Sequence, residues 1–311
     1  MNRLAQLLTR YSKILHPKPT KRPESPLLAE SMRQDYGKSE RTEDFYHIMP
    51  GDARSYYRER SELAFKYSTF DCLKHKCSSC CTDKIGREVT AFDIMAMALA
   101  RGRLPLFGDE ILLRADIFDN IGSMKPTLQL ATPCKFLSDN GCGVQKDREV
   151  GKYIGKPIVC VLFPENILAM RQFLGGRRME TARNDPSLLP LLAIEDKNYP
   201  CLKDGHVVSQ ARFQALADLE SMMCKERAAS DLFFGIQARE LPNFPEVPDG
   251  VPENADEKAW ATFIKETNSF FAREFGNGTP FHSSIIEKVE CLANREGIKK
   301  LFGLLNKANK A

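Results

Sequence analysis

Four thiols lie within the ten residues Cys72-Leu-Lys-His75-Lys-Cys77-Ser-Ser-Cys80-Cys81. A free cysteine packs as a small hydrophobic residue, but the lysines and serines of this stretch argue against simple packing. Thiolates prefer soft metals such as zinc, copper(I) and the iron of iron–sulfur clusters. Two residues separate Cys77 from Cys80, a spacing at which one turn presents both sulfurs to one ion. The stretch therefore predicts a metal site, and its lysines favour the thiolate form.

The doublet Cys80-Cys81 needs a different arrangement, because neighbouring side chains diverge. It favours two nearby metals, or one ligand and one spare thiol. Further cysteines follow in three groups, the first flanking Ser-Asp-Asn-Gly, a strong turn signal that brings Cys134 and Cys142 together. Cys160 lies in a short apolar run that predicts a buried strand or extended segment. The predicted metal ligands are Cys72, Cys77, Cys80, Cys81, Cys134, Cys142, Cys160 and Cys201.

The number of sulfurs leaves several inorganic groups open. Eight thiolates suit two four-thiolate zinc sites, two cubane 4Fe–4S clusters, or one cluster with spare ligands. Structural disulfides are the alternative, but clustered cysteines favour metal in a reducing compartment. His75 and His206 stand close to the predicted ligands in sequence, and we expect both to be surface residues.

Composition limits the classes of function. The 311 residues are 42% hydrophobic and 28% charged, which is enough apolar material for a core without help from disulfides. A net charge of +4 is too mild to indicate nucleic-acid binding. No run approaches the roughly 18 apolar residues of a transmembrane helix, and no signal-peptide pattern is present.

The chain divides by pattern into three regions. Residues 1–50 predict an amphipathic basic helix followed by a polar, proline-rich arm. The interpretation we favour is that this helix docks on its own protein; a membrane surface, a partner protein and an organellar transit peptide are the alternatives. Residues 51–240 predict the cysteine-cluster metal-binding domain. Residues 241–311 predict a helical hairpin packed on it.

Hydrophobic spacing predicts a mainly α fold with a short β-hairpin. In this fold an irregular cysteine-rich core, stapled by metal, is flanked by helices. A Thr90/Asp93 capping box opens one helix, whose methionines we expect in the core. Gly175-Gly176 marks the predicted hairpin. We expect Cys224 to be buried in the core and Cys291 to play no part in the site. Predicted helices cover residues 53–67, 90–100, 109–119, 208–226, 254–275 and 282–307.

Four motifs in residues 68–205 together resemble one family. They are Cys72-x4-Cys77-x2-Cys80-Cys81, Val89-Thr90-x2-Asp93-Ile94, Cys134-x-Phe136-Leu137-x4-Cys142 and Lys156-Pro157-x2-Cys160-x2-Phe163-Pro164. This order resembles the CxxCxxCC cysteine-cluster family, the YkgJ-like zinc- or iron-chelating domain. Lys156 and Val161 stand where that family usually has arginines. Flagellin lysine-N-methylases are similar across the same cysteines.

The resemblance implies a cytoplasmic protein that holds zinc, iron or an iron–sulfur cluster. Three hypotheses of function follow. The favoured one is a metal-binding protein whose cysteine cluster builds the domain. The second is an S-adenosylmethionine-dependent protein lysine N-methyltransferase carrying an iron–sulfur cluster. The third is an interaction module with structural zinc, whose terminal helices bind a protein partner.

Overall fold

The computed structural model describes residues 48–67, 78–82, 87–115, 126–138, 141–144, 155–163, 210–236, 243–246 and 257–309. Several predictions fall outside these ranges: the N-terminal helix and arm and the hairpin at Gly175-Gly176. The same holds for three predicted ligands and both histidines, which are Cys72, Cys77, Cys201, His75 and His206.

The described residues form a mainly helical fold, as the sequence predicts, and their two antiparallel strand pairs lie elsewhere in the chain than the predicted hairpin. The helices are α1 (Gly51–Tyr67), α2 (Ser79–Thr82), α3 (Ala91–Arg101), α4 (Ile158–Leu162), α5 (Gln210–Phe234), α6 (Glu257–Phe275), α7 (Pro280–Cys291) and α8 (Arg295–Ala308). The strands are β1 (Ile111–Ala115), β2 (Pro126–Leu130), β3 (Leu137–Ser138) and β4 (Gly141–Cys142). Among these helices, none combines the length and apolar character needed to cross a membrane.

Helix α3 lies at the centre of the core. The Thr90 hydroxyl accepts a hydrogen bond from Asp93 N, and the Asp93 carboxylate accepts one from Thr90 N, so the predicted capping box is confirmed. Gly102 ends the helix in the left-handed conformation with φ of 76°. Met95 and Met97 are fully buried, which confirms their place in the core. Since α3 is covered on nearly all sides, other elements must pack around it.

Helices α7 and α8 belong to the same hydrophobic cluster as α1 and α3. Phe302 of α8 makes edge-on ring contacts with Tyr56 and Phe92, at centroid distances of 5.3 and 5.5 Å. Ile285 of α7 and Phe234 of α5 are buried in this cluster too. Aromatic pairs of this geometry add about 0.5–1.5 kcal/mol each beyond their buried area. Helices α7 and α8 therefore contribute to the core that positions α3.

The predicted helix over 109–119 is wrong, because residues 111–115 form strand β1. Ile111 pairs with Leu130 and Ala115 with Pro126 in an antiparallel ladder. A short apolar run such as Ile-Leu-Leu suits a helix or a strand equally, so periodicity alone does not decide between them. The buried strand β2 supplies the backbone partners, and tertiary pairing decides for the strand.

Glu110, between α3 and β1, is a buried carboxylate. Burial opposes ionisation of this carboxyl, but hydrogen bonds from Arg103, Leu106 N and Arg101 hold its pKa below the ordinary value. The buried carboxylate joins the end of α3 to the start of β1, because its partners come from the connection between them.

The predicted single helix over 282–307 is interrupted, so the C-terminal region has three helices rather than a hairpin. Asn294 caps α8 by accepting a hydrogen bond from Gly297 N at 2.8 Å. A Cβ on Gly297 would lie 2.0 Å from the carbonyl oxygen of Cys291, so the two helices approach closely at a glycine. The capping residue and the glycine together end one helix and begin the next.

Helix α5 runs further than predicted, from Gln210 to Phe234. Cys224 is exposed on it, so the prediction of a core thiol is wrong. The helix presents a different face to the core, because the buried stripe of α5 passes through Leu219 and Glu226 instead. Cys291 is exposed as well.

Candidate functional site

Five of the eight predicted thiols are in described residues, and four separate segments of the chain bring them together. Cys80 and Cys81 lie on α2, Cys134 precedes β3, Cys142 ends β4, and Cys160 lies on α4. All five are partly buried, and the seven described cysteines form no disulfide. We call these five residues the cysteine group. The structure thus places neither a scatter of exterior thiols nor a set of disulfides at the predicted site.

Direct contacts link the α2 thiols to the segment before β3. The amide of Cys134 donates a hydrogen bond to the carbonyl oxygen of Cys81 at 2.8 Å. The Cys81 and Cys134 thiols are within hydrogen-bond distance of each other, as are those of Cys80 and Cys81. Cys81 is therefore at the centre of this part of the group.

The predicted turn between Cys134 and Cys142 is supported by the strands on either side of it. Leu137 pairs with Cys142 across β3 and β4, and Gly143 N donates to Phe136 O at 2.7 Å. This small hairpin brings Cys142 back beside Cys134, close enough for their charges to interact. A local turn therefore places two thiols at one site, as the sequence predicts.

The segment around Cys160 is the helix α4, so the predicted strand is wrong. Pro157 stands at the N-cap, and its carbonyl oxygen accepts a hydrogen bond from Cys160 N at 2.9 Å. The run Ile-Val-Cys-Val-Leu is strand-like in composition, but the Asp93 carboxylate accepts a hydrogen bond from Ile158 N at 2.9 Å. A distant side chain therefore satisfies the first turn and stabilises a helix.

Close backbone packing brings the Cys160 segment to α3. A Cβ added to Gly155 would lie 2.4 Å from the Ala100 Cβ and 2.9 Å from the carbonyl oxygen of Val144. Only glycine allows this approach without displacing its neighbours. The segment that leads to Cys160 is thereby held against both α3 and the end of β4.

Two cations accompany the thiols. Arg87 and the buried Lys156 are close enough to Cys80 and Cys160 to lower the pKa of both. Other effects outweigh them. Hydrogen bonding to Cys81 and burial raise the pKa of the Cys80 thiol, and burial raises that of Cys160. Without a further positive charge, these two thiols stay protonated at neutral pH.

The hydrogen bond between the Cys81 and Cys134 thiols shifts their pKa values in opposite directions. It raises the pKa of Cys81 to about 12 and lowers that of Cys134. One thiol of the pair thus donates while the other accepts. Within the described ranges, no set of three or more His, Cys, Asp or Glu side chains has the arrangement needed to hold one metal ion. The five thiols therefore form a linked group rather than a finished coordination shell.

A buried ionic network is connected to the Cys160 segment through Asp93, and the sequence patterns did not predict it. Arg60, Asp93 and Glu226 are each at most 3% exposed. Arg60 Nε donates to Glu226 Oε1 at 2.7 Å, and its Nη2 donates to Asp93 Oδ1. The Tyr56 hydroxyl adds a hydrogen bond to Glu226 Oε1 at 2.8 Å. The network, which we call the buried ion triad, joins α1, α3 and α5.

Burial and the Asp93 charge raise the pKa of Glu226, and Arg60 opposes this shift.

A signal for the triad was present in the sequence. Arg60 is on the same helical stripe as Tyr57 and Ala64, and Glu226 lies seven residues after Leu219. A charged residue on an otherwise apolar stripe indicates a buried partner.

The sequence matches no family model and no curated protein, and no solved structure matches it either.

Proposed function

We propose that this chain is a cytoplasmic metal-binding protein that holds zinc, iron or an iron–sulfur cluster through its cysteine thiolates. The observation that supports the proposal is the proximity of five thiols drawn from four segments, of which Cys80, Cys81 and Cys134 are in contact. The proposed ligand set also includes Cys72, Cys77 and Cys201, which lie outside the described residues. Sulfur ligands without oxygen ligands favour zinc or iron–sulfur iron over magnesium or calcium.

A bound cation would change the protonation state of the cysteine group. Burial and thiol–thiol hydrogen bonds raise the pKa values of Cys80, Cys81 and Cys160. A metal ion would supply the local positive charge that deprotonates a coordinating thiol outright. The donor chemistry therefore fits the group, and α2, the segment before β3, β4 and α4 would supply the sulfurs.

Anaerobic purification followed by metal analysis and an absorption spectrum tests the proposal. We expect at least one zinc or iron per chain. Iron–sulfur clusters give a broad band near about 400 nm, whereas a zinc protein is colourless. A chain that carries no metal after purification, and takes up neither zinc nor iron with sulfide on reconstitution, would contradict the proposal.

Zinc binding is also expected to release protons. Because metal ligation requires thiolates, adding Zn²⁺ to reduced metal-free protein at pH 7 should release about three to four protons per four-thiolate site. A pH indicator in weakly buffered solution measures the release. Calcium, which prefers oxygen ligands, serves as the control and should release none. Stoichiometric zinc uptake with less than one proton per ion would place the zinc elsewhere than on these thiols.

The methyltransferase alternative gains no comparable support from the described residues. It requires a nucleotide-sized pocket beside the cysteines. One crevice lies between residues 104–107 and α7, lined by Phe107, Ile286 and Val289 among others, and it offers about 20 Å³ for water-sized molecules. That is room for about one or two waters. Retention of S-adenosylmethionine by the purified protein would reverse this preference.

A further inference from the structure

The Asp93 carboxylate has more partners than a helix cap requires. Its Oδ2 accepts from Thr90 N at 3.0 Å, which completes the capping box of α3. Its Oδ1 accepts from Arg60 Nη2 and from Ile158 N, the latter at 2.9 Å. One buried side chain thus joins the start of α3, the triad and the first residue of α4.

The hydrogen bond from Ile158 N to Asp93 Oδ1 is the informative contact, because α4 has only five residues. An isolated helix of this length is unstable in water, so contacts from outside must hold it. Helix α4 contacts α1 and α5. Its Pro157 cap lacks a side-chain hydrogen bond. The Ile158 amide, which a helix leaves without an internal partner, is bound by Asp93 instead. Cys160 lies two residues further along this turn.

The Asp93 carboxylate is itself held in place. It is 2% exposed, and the guanidinium of Arg60 is bound in turn by Glu226. Buried charge-assisted hydrogen bonds of this kind are short and directional. Besides its packing contacts, the α4 backbone is thus tied to three helices, α1, α3 and α5, through this carboxylate.

We infer that Asp93 is a positioning residue that sets the place of the Cys160 sulfur within the proposed metal site. The inference rests on the proposed function, because Cys160 must be a metal ligand for its position to matter. The hydrogen bond from Ile158 N to Asp93 is present without any metal. Replacing a residue that orients a metal ligand through a hydrogen bond typically weakens metal affinity by about 10- to 100-fold.

Asp93→Asn tests the inference, because both carboxylate oxygens accept hydrogen bonds and an amide has only one acceptor atom. In the metal-free reduced protein, we expect iodoacetamide to alkylate Cys160 about tenfold faster, as the loss of a hydrogen bond to a charged group allows. Mass spectrometry of the peptides gives the rate at each thiol. Cys142 is the internal comparison, because general loosening of the fold would accelerate it equally.

Ser230→Ala is the matched control variant. The Ser230 hydroxyl accepts a hydrogen bond from Ala91 N at 2.8 Å at the same end of α3, and Ser230 is similarly buried. Its loss should lower the melting temperature without a selective change at Cys160. In a second measurement, we expect Asp93→Asn to weaken Zn²⁺ binding about 10- to 100-fold and Ser230→Ala to leave it unchanged.

The outcomes separate the two proposals. Selective acceleration at Cys160 supports the inference even if the wild-type chain binds no Zn²⁺, in which case only the proposed function fails. Equal acceleration at Cys142, or none at Cys160, overturns it. If Asp93→Asn does not fold, amide hydrogen exchange of the wild-type protein decides. Strong protection of the Ile158 amide supports the inference, and exchange at the rate of an exposed amide overturns it.

Discussion

Arg60→Met is expected to lower the free energy of unfolding by about 3–5 kcal/mol, because it leaves two buried carboxyl groups without their cation. Arg60 is 3% exposed and binds Asp93 and both oxygens of Glu226. Methionine keeps an unbranched side chain of related length, so the charge rather than the packing is removed. Urea unfolding followed by circular dichroism measures the effect.

Arg58→Met is the matched control, since Arg58 is exposed on the same helix. We expect it to change the free energy of unfolding by less than about 0.5 kcal/mol. Adding Glu226→Gln to Arg60→Met should recover part of the loss, because the double variant has one fewer unpaired buried charge. An Arg60→Met variant as stable as the wild type would show that the triad does not stabilise the fold.

The loss in free energy of unfolding caused by Arg60→Met is also expected to depend on pH. Burial raises the pKa of Glu226 above its ordinary value of 4.5, and Arg60 opposes that rise. Without Arg60 the folded-state pKa rises further, so the folded state binds the proton more tightly than the unfolded state does. The Arg60→Met protein is therefore most stable at pH values below the unfolded-state pKa of Glu226. Its stability falls as the pH rises through the folded-state pKa of Glu226. Unfolding curves measured at several pH values check this trend.

Cys81→Ser is expected to abolish one metal site and the stability that depends on it. Cys81 contacts the thiols of Cys80 and Cys134, so its sulfur lies where the α2 and β3 segments meet. Under the proposed function, a metal that binds only the folded chain stabilises it. At free zinc about a thousandfold above the dissociation constant, the wild-type protein should gain about 4 kcal/mol of stability. The variant should lose this gain.

Zinc-dependent thermal unfolding and metal analysis measure both effects. Cys224→Ser and Cys291→Ser are the matched controls, because both thiols are exposed and separate from the cysteine group. They should keep the full metal content and the zinc-dependent rise in melting temperature. Full metal content and an unchanged zinc response in Cys81→Ser would remove Cys81 from the ligand set.

Predictions that depended on neighbours in the chain were confirmed. The capping box of α3 needs only Thr90 and Asp93, which are three residues apart. The turn between Cys134 and Cys142 needs only the two residues between β3 and β4 and their flanks. In both cases the groups that satisfy the backbone are within a few residues, so the pattern contains the physical cause.

Predictions that depended on distant partners were wrong. Residues 111–115 are a strand because β2 lies beside them. Residues 158–162 are helical with Asp93 bound to their first amide, 65 residues away. Cys224 is exposed because α5 turns Leu219 and Glu226 to the core instead. A short apolar segment has no preference strong enough to outweigh such contacts.

The amino-acid sequence by itself determined the mainly helical class, the start of α3 and the grouping of thiols along the chain, since spacing and capping act over one or two turns. Tertiary structure alone decided that five thiols from four segments meet, and that Arg60, Asp93 and Glu226 are buried together. The reason is that a buried charge is stable only beside its partner, and Arg60 and Glu226 lie 166 residues apart in the chain.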